Sequence, residues 1–142
     1  MRIRGHHLCC VFCYVGSGAA SAREFFGVDN AIPQLVDTLR ANPALPVEIL
    51  CDMDDVCVIC PLKRPDGCGR AADAAAQNEK LRQWDRAILE RLGLTSGEIL
   101  PFEDIVERLR RGIADIGEIC VDCTSAGPDG FAAYRSGLAH GL

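Results

Sequence analysis

The chain is 142 residues long, enough for one domain of ordinary size and short for two. Hydrophobic residues make up 49% and charged residues 25%, the balance of a soluble globular protein, which excludes wholesale disorder and collagen-like repeats. A net charge of −5 argues against a broad phosphate-binding surface, so nucleic acid is not an expected partner.

In chain order, Arg2-Ile3-Arg4 alternates as a short strand does, while residues 6–14 are apolar and cysteine-rich but too few to assign by period. Gly16-Ser17-Gly18-Ala19-Ala20 reads as a flexible break. Phe25, Val28, Ile32, Leu35, Val36 and Leu39 make a helical stripe; Pro33 sets the start of the regular helix, and Pro43 and Pro46 close it. Val47-Glu48-Ile49-Leu50-Cys51 reads as a strand, with residues 2–4 as its natural partner. Residues 52–69 hold two prolines, two glycines, four acidic residues and three cysteines. A bare loop of that length is uncommon in a compact domain, so a functional loop is expected.

A long helix is predicted from about residue 70 to residue 92, with Leu81, Trp84, Ile88, Leu89 and Leu92 on one face and Gly93 at its stop. Thr95 and Glu98 fit a capping box for a short turn. Phe102, Ile105, Val106, Leu109 and Ile113 give a further amphipathic helix with Pro101 in its first turn, and the glycine-rich tail leaves room for a short helix around residues 131–138. The expected fold class is mostly α with a small two-stranded β element (α+β), a single compact domain over residues 1–142 organised around a cysteine-ligated metal site.

No stretch approaches the ~20 apolar residues of a membrane span, so no membrane association is expected. Arg2 and Arg4, the apolar run at residues 8–15 and Ala20-Ser21-Ala22 have the outline of a secretory leader. The run is near the minimum length, contains three cysteines and follows His6-His7, so a cytoplasmic location is the expectation. Nine cysteines cannot all pair with one another. In a reducing compartment, clustered cysteines point to metal or redox chemistry more often than to structural disulfides.

Three C-x-x-C pairs occur: Cys10/Cys13, Cys57/Cys60 and Cys120/Cys123. Two intervening residues let a tight turn aim both sulfurs at one point, and soft anionic thiolates suit zinc or an iron–sulfur cluster. The strongest unit is Cys57-Val58-Ile59-Cys60-Pro61 followed by Cys68-Gly69, since Pro61 stiffens the turn and a third thiol lies in the same loop. A fourth ligand must come from elsewhere, and the knot of His6, His7, Cys9, Cys10 and Cys13 is the obvious donor. The alternative, buried thiols acting as small hydrophobes, suits Cys51 but not the loop, whose cysteines lie among Asp52, Asp54, Asp55, Lys63 and Arg64. Cys120/Cys123 could add ligands, form a second small site, be a redox-sensitive dithiol or be incidental. His6 and His7 are expected to support the site, each donating an N–H to a sulfur or a nearby carboxylate, with direct ligation and a purely structural role as alternatives. The acidic run Asp52, Asp54, Asp55 lacks the spacing of a calcium loop and reads as a solvated turn.

Arg2-Ile3-Arg4-Gly5-His6-His7-Leu8-Cys9-Cys10, together with Asp54-Asp55-Val56-Cys57-Val58-Ile59-Cys60-Pro61, resembles a family of small bacterial and archaeal proteins known as domain of unknown function 1284. That resemblance implies an iron–sulfur centre, a suggestion attached to the family, and no established reaction. It maps onto His6, His7, Cys10, Cys57, Cys60 and Cys68, and selects Cys10 over Cys9. It extends in part to Cys120 and Cys123, although the further cysteine expected after that pair has no counterpart in residues 127–137.

The expected function is that of a small metal-centre protein in which Cys10, Cys57, Cys60 and Cys68 ligate an iron–sulfur cluster of the 4Fe–4S type, with electron transfer or redox sensing toward a protein partner. Additional or supporting candidates are His6, His7, Cys13, Cys120 and Cys123. The alternative is a structural zinc module for protein–protein interaction. A thiol–disulfide oxidoreductase ranks third, because the loop pair lacks the strand–helix setting that lowers a thiol pKa. No catalytic constellation is recognised, so an enzyme is not the expectation.

Overall fold

A computed structural model describes residues 1–123 and 127–142. Strand β1 (Arg2–Arg4) runs directly into helix α1 (Gly5–Ser17). Leu8, Val11 and Phe12 stand at helical spacing and are all fully buried, so the short apolar run is the central helix of the core. Gly18 ends it in the left-handed conformation, φ 68°, as a glycine does beyond a helix C-terminus. Helices α2 (Ala22–Phe26) and α3 (Ile32–Ala41) follow; Pro33 sits in the first turn of α3, as predicted.

Strand β2 (Pro46–Leu50) pairs with β1 in parallel, from Arg2 opposite Glu48 to Arg4 opposite Leu50. The next segment holds one 3₁₀ turn (Asp55–Cys57) and a two-residue hairpin, β3 (Lys63–Arg64) with β4 (Gly67–Cys68). Helix α4 (Ala74–Leu92) follows, then β5 (Ile99–Pro101) and α5 (Phe102–Gly112). Strand β5 lies antiparallel to β2 on the side away from β1, giving the order β1-β2-β5. Helix α6 (Gly127–His140) ends the chain.

The architecture is mostly helical with small sheets, an α+β domain. The expected two-stranded element is instead a three-stranded sheet with a separate hairpin. Strand β5 has three residues and ends in proline, and the hairpin strands have two each, too few to show alternation. Helix α4 starts later than predicted because the Asp73 carboxylate accepts the Ala76 N–H at 2.9 Å and caps it there. Cys51 lies just past the end of β2, half-buried rather than inside the strand.

Helices α1 and α6 cross backbone to backbone. A β-carbon added at Gly137 would stand 2.1 Å from the Phe12 carbonyl oxygen, and one at Gly16 would stand 1.8 Å from that of Ala133. Only glycine at both positions allows this approach. The crossing is locked by Tyr134, fully buried, whose hydroxyl donates to the Ile113 carbonyl at 2.8 Å. Among the described residues, no helix is long and apolar enough to cross a membrane.

Candidate metal centre

Helix α1 begins without a capping side chain of its own. Two carboxylates from distant segments take its place. Asp85 of α4 accepts the His6 backbone N–H at 2.8 Å, and Asp54 accepts that of Arg4 at 2.8 Å. Asp85 also receives the Arg4 Nε at 2.8 Å, with Arg4 Nη2 2.7 Å from the same oxygen, and the His6 Nδ1 at 2.9 Å. Asp54 receives the His7 Nδ1 at 2.8 Å. Asp85, Arg4 and Asp54 are all buried.

Burial works against ionising Asp85 and Asp54. For Asp85 the His6 ring and the Arg4 guanidinium outweigh it; for Asp54 the His7 ring and the surrounding N–H donors do, so both carboxyls stay below the usual range. Burial acts the other way on His6 and is the largest influence on it: despite Asp85, its pKa is pushed down to about 4. His6 is therefore neutral at pH 7. With Nδ1–H donated to a carboxylate, its Nε2 carries no proton and is free to accept a bond. His7 has the same Nδ1–carboxylate geometry, the arrangement that fixes the tautomer of metal-binding histidines.

The thiol loop doubles back on itself. The Cys57 N–H donates to the Asp54 carbonyl at 3.1 Å and is 3.3 Å from its carboxylate; the Cys60 N–H donates to the Cys57 carbonyl at 3.3 Å. Lys63 N–H then bonds the Cys60 carbonyl at 3.1 Å, and the hairpin sets Cys68 opposite Lys63. Gly67, at φ 140°, presses so close to α4 that a β-carbon would stand 2.6 Å from that of Asn78. Turn and hairpin thus bring Cys57, Cys60 and Cys68 to the wall of a single cavity of about 370 Å³.

The same cavity is lined by His6, His7 and Cys10 of α1 and by Cys123 of the C-terminal pair. Cys13 does not reach the wall; it is buried beside Cys9 and Cys120 in the core. Among the described residues, one trio of metal-ligating side chains has its donor atoms within 4.8 Å of one another: His7, Asp54 and Cys57.

Burial, the largest cause in each case, pushes the Cys9, Cys10, Cys13 and Cys120 thiols up, and neighbouring thiols add to it; Cys120 reaches about 12. Burial and the Asp54 charge raise Cys57 to about 12. None of these has the lowered pKa of a nucleophilic thiol. A thiol so placed keeps its proton at pH 7 unless a cation displaces it.

Asp54 is no part of a solvated turn, contrary to the expectation for the acidic run: it is a buried hub for Arg4, His7 and Cys57, while Asp52 pairs with Arg82 at 2.7 Å and Asp55 accepts the Arg2 N–H at 2.8 Å. Sequence reasoning also missed Asp85 and Arg4. One signal was present, since Asp85 falls four residues after Leu81 and three before Ile88, on the buried stripe of α4. A carboxylate there requires buried donors.

No curated protein and no solved structure matches the chain. A family model matches residues 25–126, a span that contains Cys57, Cys60, Cys68, Cys120 and Cys123 and leaves the α1 residues outside it. That match covers most of the chain, and the chain belongs to the family described as protein of unknown function, DUF1284.

Proposed function

We propose that this protein is a small metal-centre protein whose cavity holds an iron–sulfur cluster, and that it serves electron transfer or redox sensing with a protein partner in a reducing compartment. The observation that carries this reading is the convergence of loop thiols Cys57, Cys60 and Cys68 and helix residues His7 and Cys10 on one cavity. Its volume of about 370 Å³ falls in the range of roughly 300–1,000 Å³ typical of bound small groups. The three loop thiols do not form a trio within 4.8 Å of one another. A single tetrahedral zinc, with Zn–S of about 2.3 Å, needs sulfurs closer together than that, whereas a cluster carries each thiolate on a different iron and spreads them. The fourth ligand comes from α1, where Cys10 and His7 both face the cavity.

A structural zinc ion is the second reading, favoured by the close His7, Asp54 and Cys57 trio. Thiol–disulfide exchange is disfavoured by the raised pKa of Cys57 and by its loop setting.

The test is the visible spectrum of protein purified without oxygen, with iron, zinc and acid-labile sulfide assayed on the same sample. A brown protein with near-equal iron and sulfide, bleached by Cys57→Ser or Cys60→Ser, is the expected result. A colourless protein with one zinc per chain would replace the cluster with the structural reading.

A further inference from the structure

Five of the nine cysteines are not in the loop or at the end of β2: Cys9, Cys10 and Cys13 lie on α1, and Cys120 and Cys123 lie in the segment after α5. Cys10 and Cys13 lie three residues apart on one face of α1, where side chains at that spacing are neighbours. Cys120 and Cys123 lie on a turn closed by the Cys123 N–H donating to the Cys120 carbonyl at 3.1 Å. Between them Asp122 takes the left-handed conformation, φ 60°, which aspartate tolerates better than most residues and which turns the chain back sharply. Cys10 and Cys123 line the same cavity, and Cys13 and Cys120 are buried in the same core.

We propose that Cys10, Cys13, Cys120 and Cys123 form a second thiolate centre for a soft metal, separate from that of the loop. It does not depend on the loop holding a metal. It assigns Cys10 to the C-terminal pair and leaves His7, beside Cys57, as the α1 donor facing the loop. Two C-x-x-C units far apart in sequence give four thiolates, and since no three of them lie within 4.8 Å of one another, they suit an iron–sulfur cluster, which spreads its thiolates, better than a single zinc. Simple core packing accounts for Cys9, which is buried, but not for Cys10 and Cys123, which reach the cavity.

The experiment compares the full-length wild type with two double variants, Cys57→Ser/Cys60→Ser and Cys10→Ser/Cys123→Ser, and with the quadruple variant that combines them. The second pair replaces half-buried residues, which spares the core. Each protein is freed of metal and reloaded without oxygen, with ferrous iron and sulfide in one arm and zinc in the other, and bound metal per chain is measured after desalting. In the arm that supplies the native metal, the expected result is that each variant loses part of the wild-type content and that the losses add in the quadruple variant. Loss in the loop variant alone overturns this inference and leaves the loop centre standing. Loss in the Cys10/Cys123 variant alone does the reverse. Identical loss in both means one shared centre, and no binding by the wild type in either arm removes both; each overturns the proposal. Should the variant not fold, alkylation of Cys123 in the wild type decides: it should be blocked in loaded protein and restored by chelation, and equal labelling overturns the proposal.

Discussion

A carboxylate shut away from water needs donors around it, and Asp85 has three: the Arg4 guanidinium, the His6 ring and the His6 backbone. Replacing it with alanine leaves the Arg4 charge buried without a counter-ion, and unfolding by urea should show a loss of about 3–5 kcal/mol. His6 makes a separate prediction for the metal-free chain. Its folded pKa of about 4 lies below the ordinary 6.5, so between those values the unfolded chain binds a proton that the folded chain refuses. Stability should therefore fall as pH drops from 6.5 toward 4; a urea midpoint that stays flat over that window would contradict the burial of a neutral ring. Asp54 and Asp85, held low, contribute their own loss only as pH falls below the usual carboxylate range. On the proposed function, Asp54→Asn removes the ionised acceptor of the His7 Nδ1–H, and a chelator competition should show metal held about 10–100-fold less tightly.

At the scale of elements, the glycine-to-glycine crossing of α1 and α6 is the contact with least room for change. Gly137→Ala drives a methyl group into the Phe12 carbonyl, which a flexible side chain could evade but a backbone cannot. The expected cost is about 3 kcal/mol or more, measured by chemical denaturation. Asp73→Ala, which removes the α4 cap, should cost about 1 kcal/mol by the same measurement. The sequence made α3, α4 and α5 readable because each keeps an apolar stripe between clear stops. It also made the β1–β2 pairing readable. It concealed α1, where cysteines fill helix positions, and β5, whose three residues are held by register with β2 rather than by any period of their own. In the site, the loop thiols were legible from spacing within one segment. Asp54 and Asp85 were not, because what makes them important is a donor 50 and 79 residues away along the chain.

At the scale of the whole molecule, residues far apart in sequence line one cavity. Arg4, His6, His7 and Cys10 share its lining with Cys57, Cys60, Cys68 and Cys123. Removing residues 127–142 would strip Tyr134 and Leu138 from the core and uncover Phe12. A chain ending at residue 126 should accordingly lose its cooperative thermal transition in circular dichroism, and a truncated chain that still melts sharply would show that α6 is dispensable.

The closeness of α1 and α6 also sets an order on folding. The Phe12 carbonyl of α1 is met by Gly137 of α6, and the Ala133 carbonyl of α6 is met by Gly16 of α1, so two segments far apart in sequence must meet before either helix is fully packed. Contacts that close so long a loop form slowly. Until they close, the thiols of α1 stay open to solvent, and refolding in the presence of a thiol-blocking reagent should trap the chain before that step.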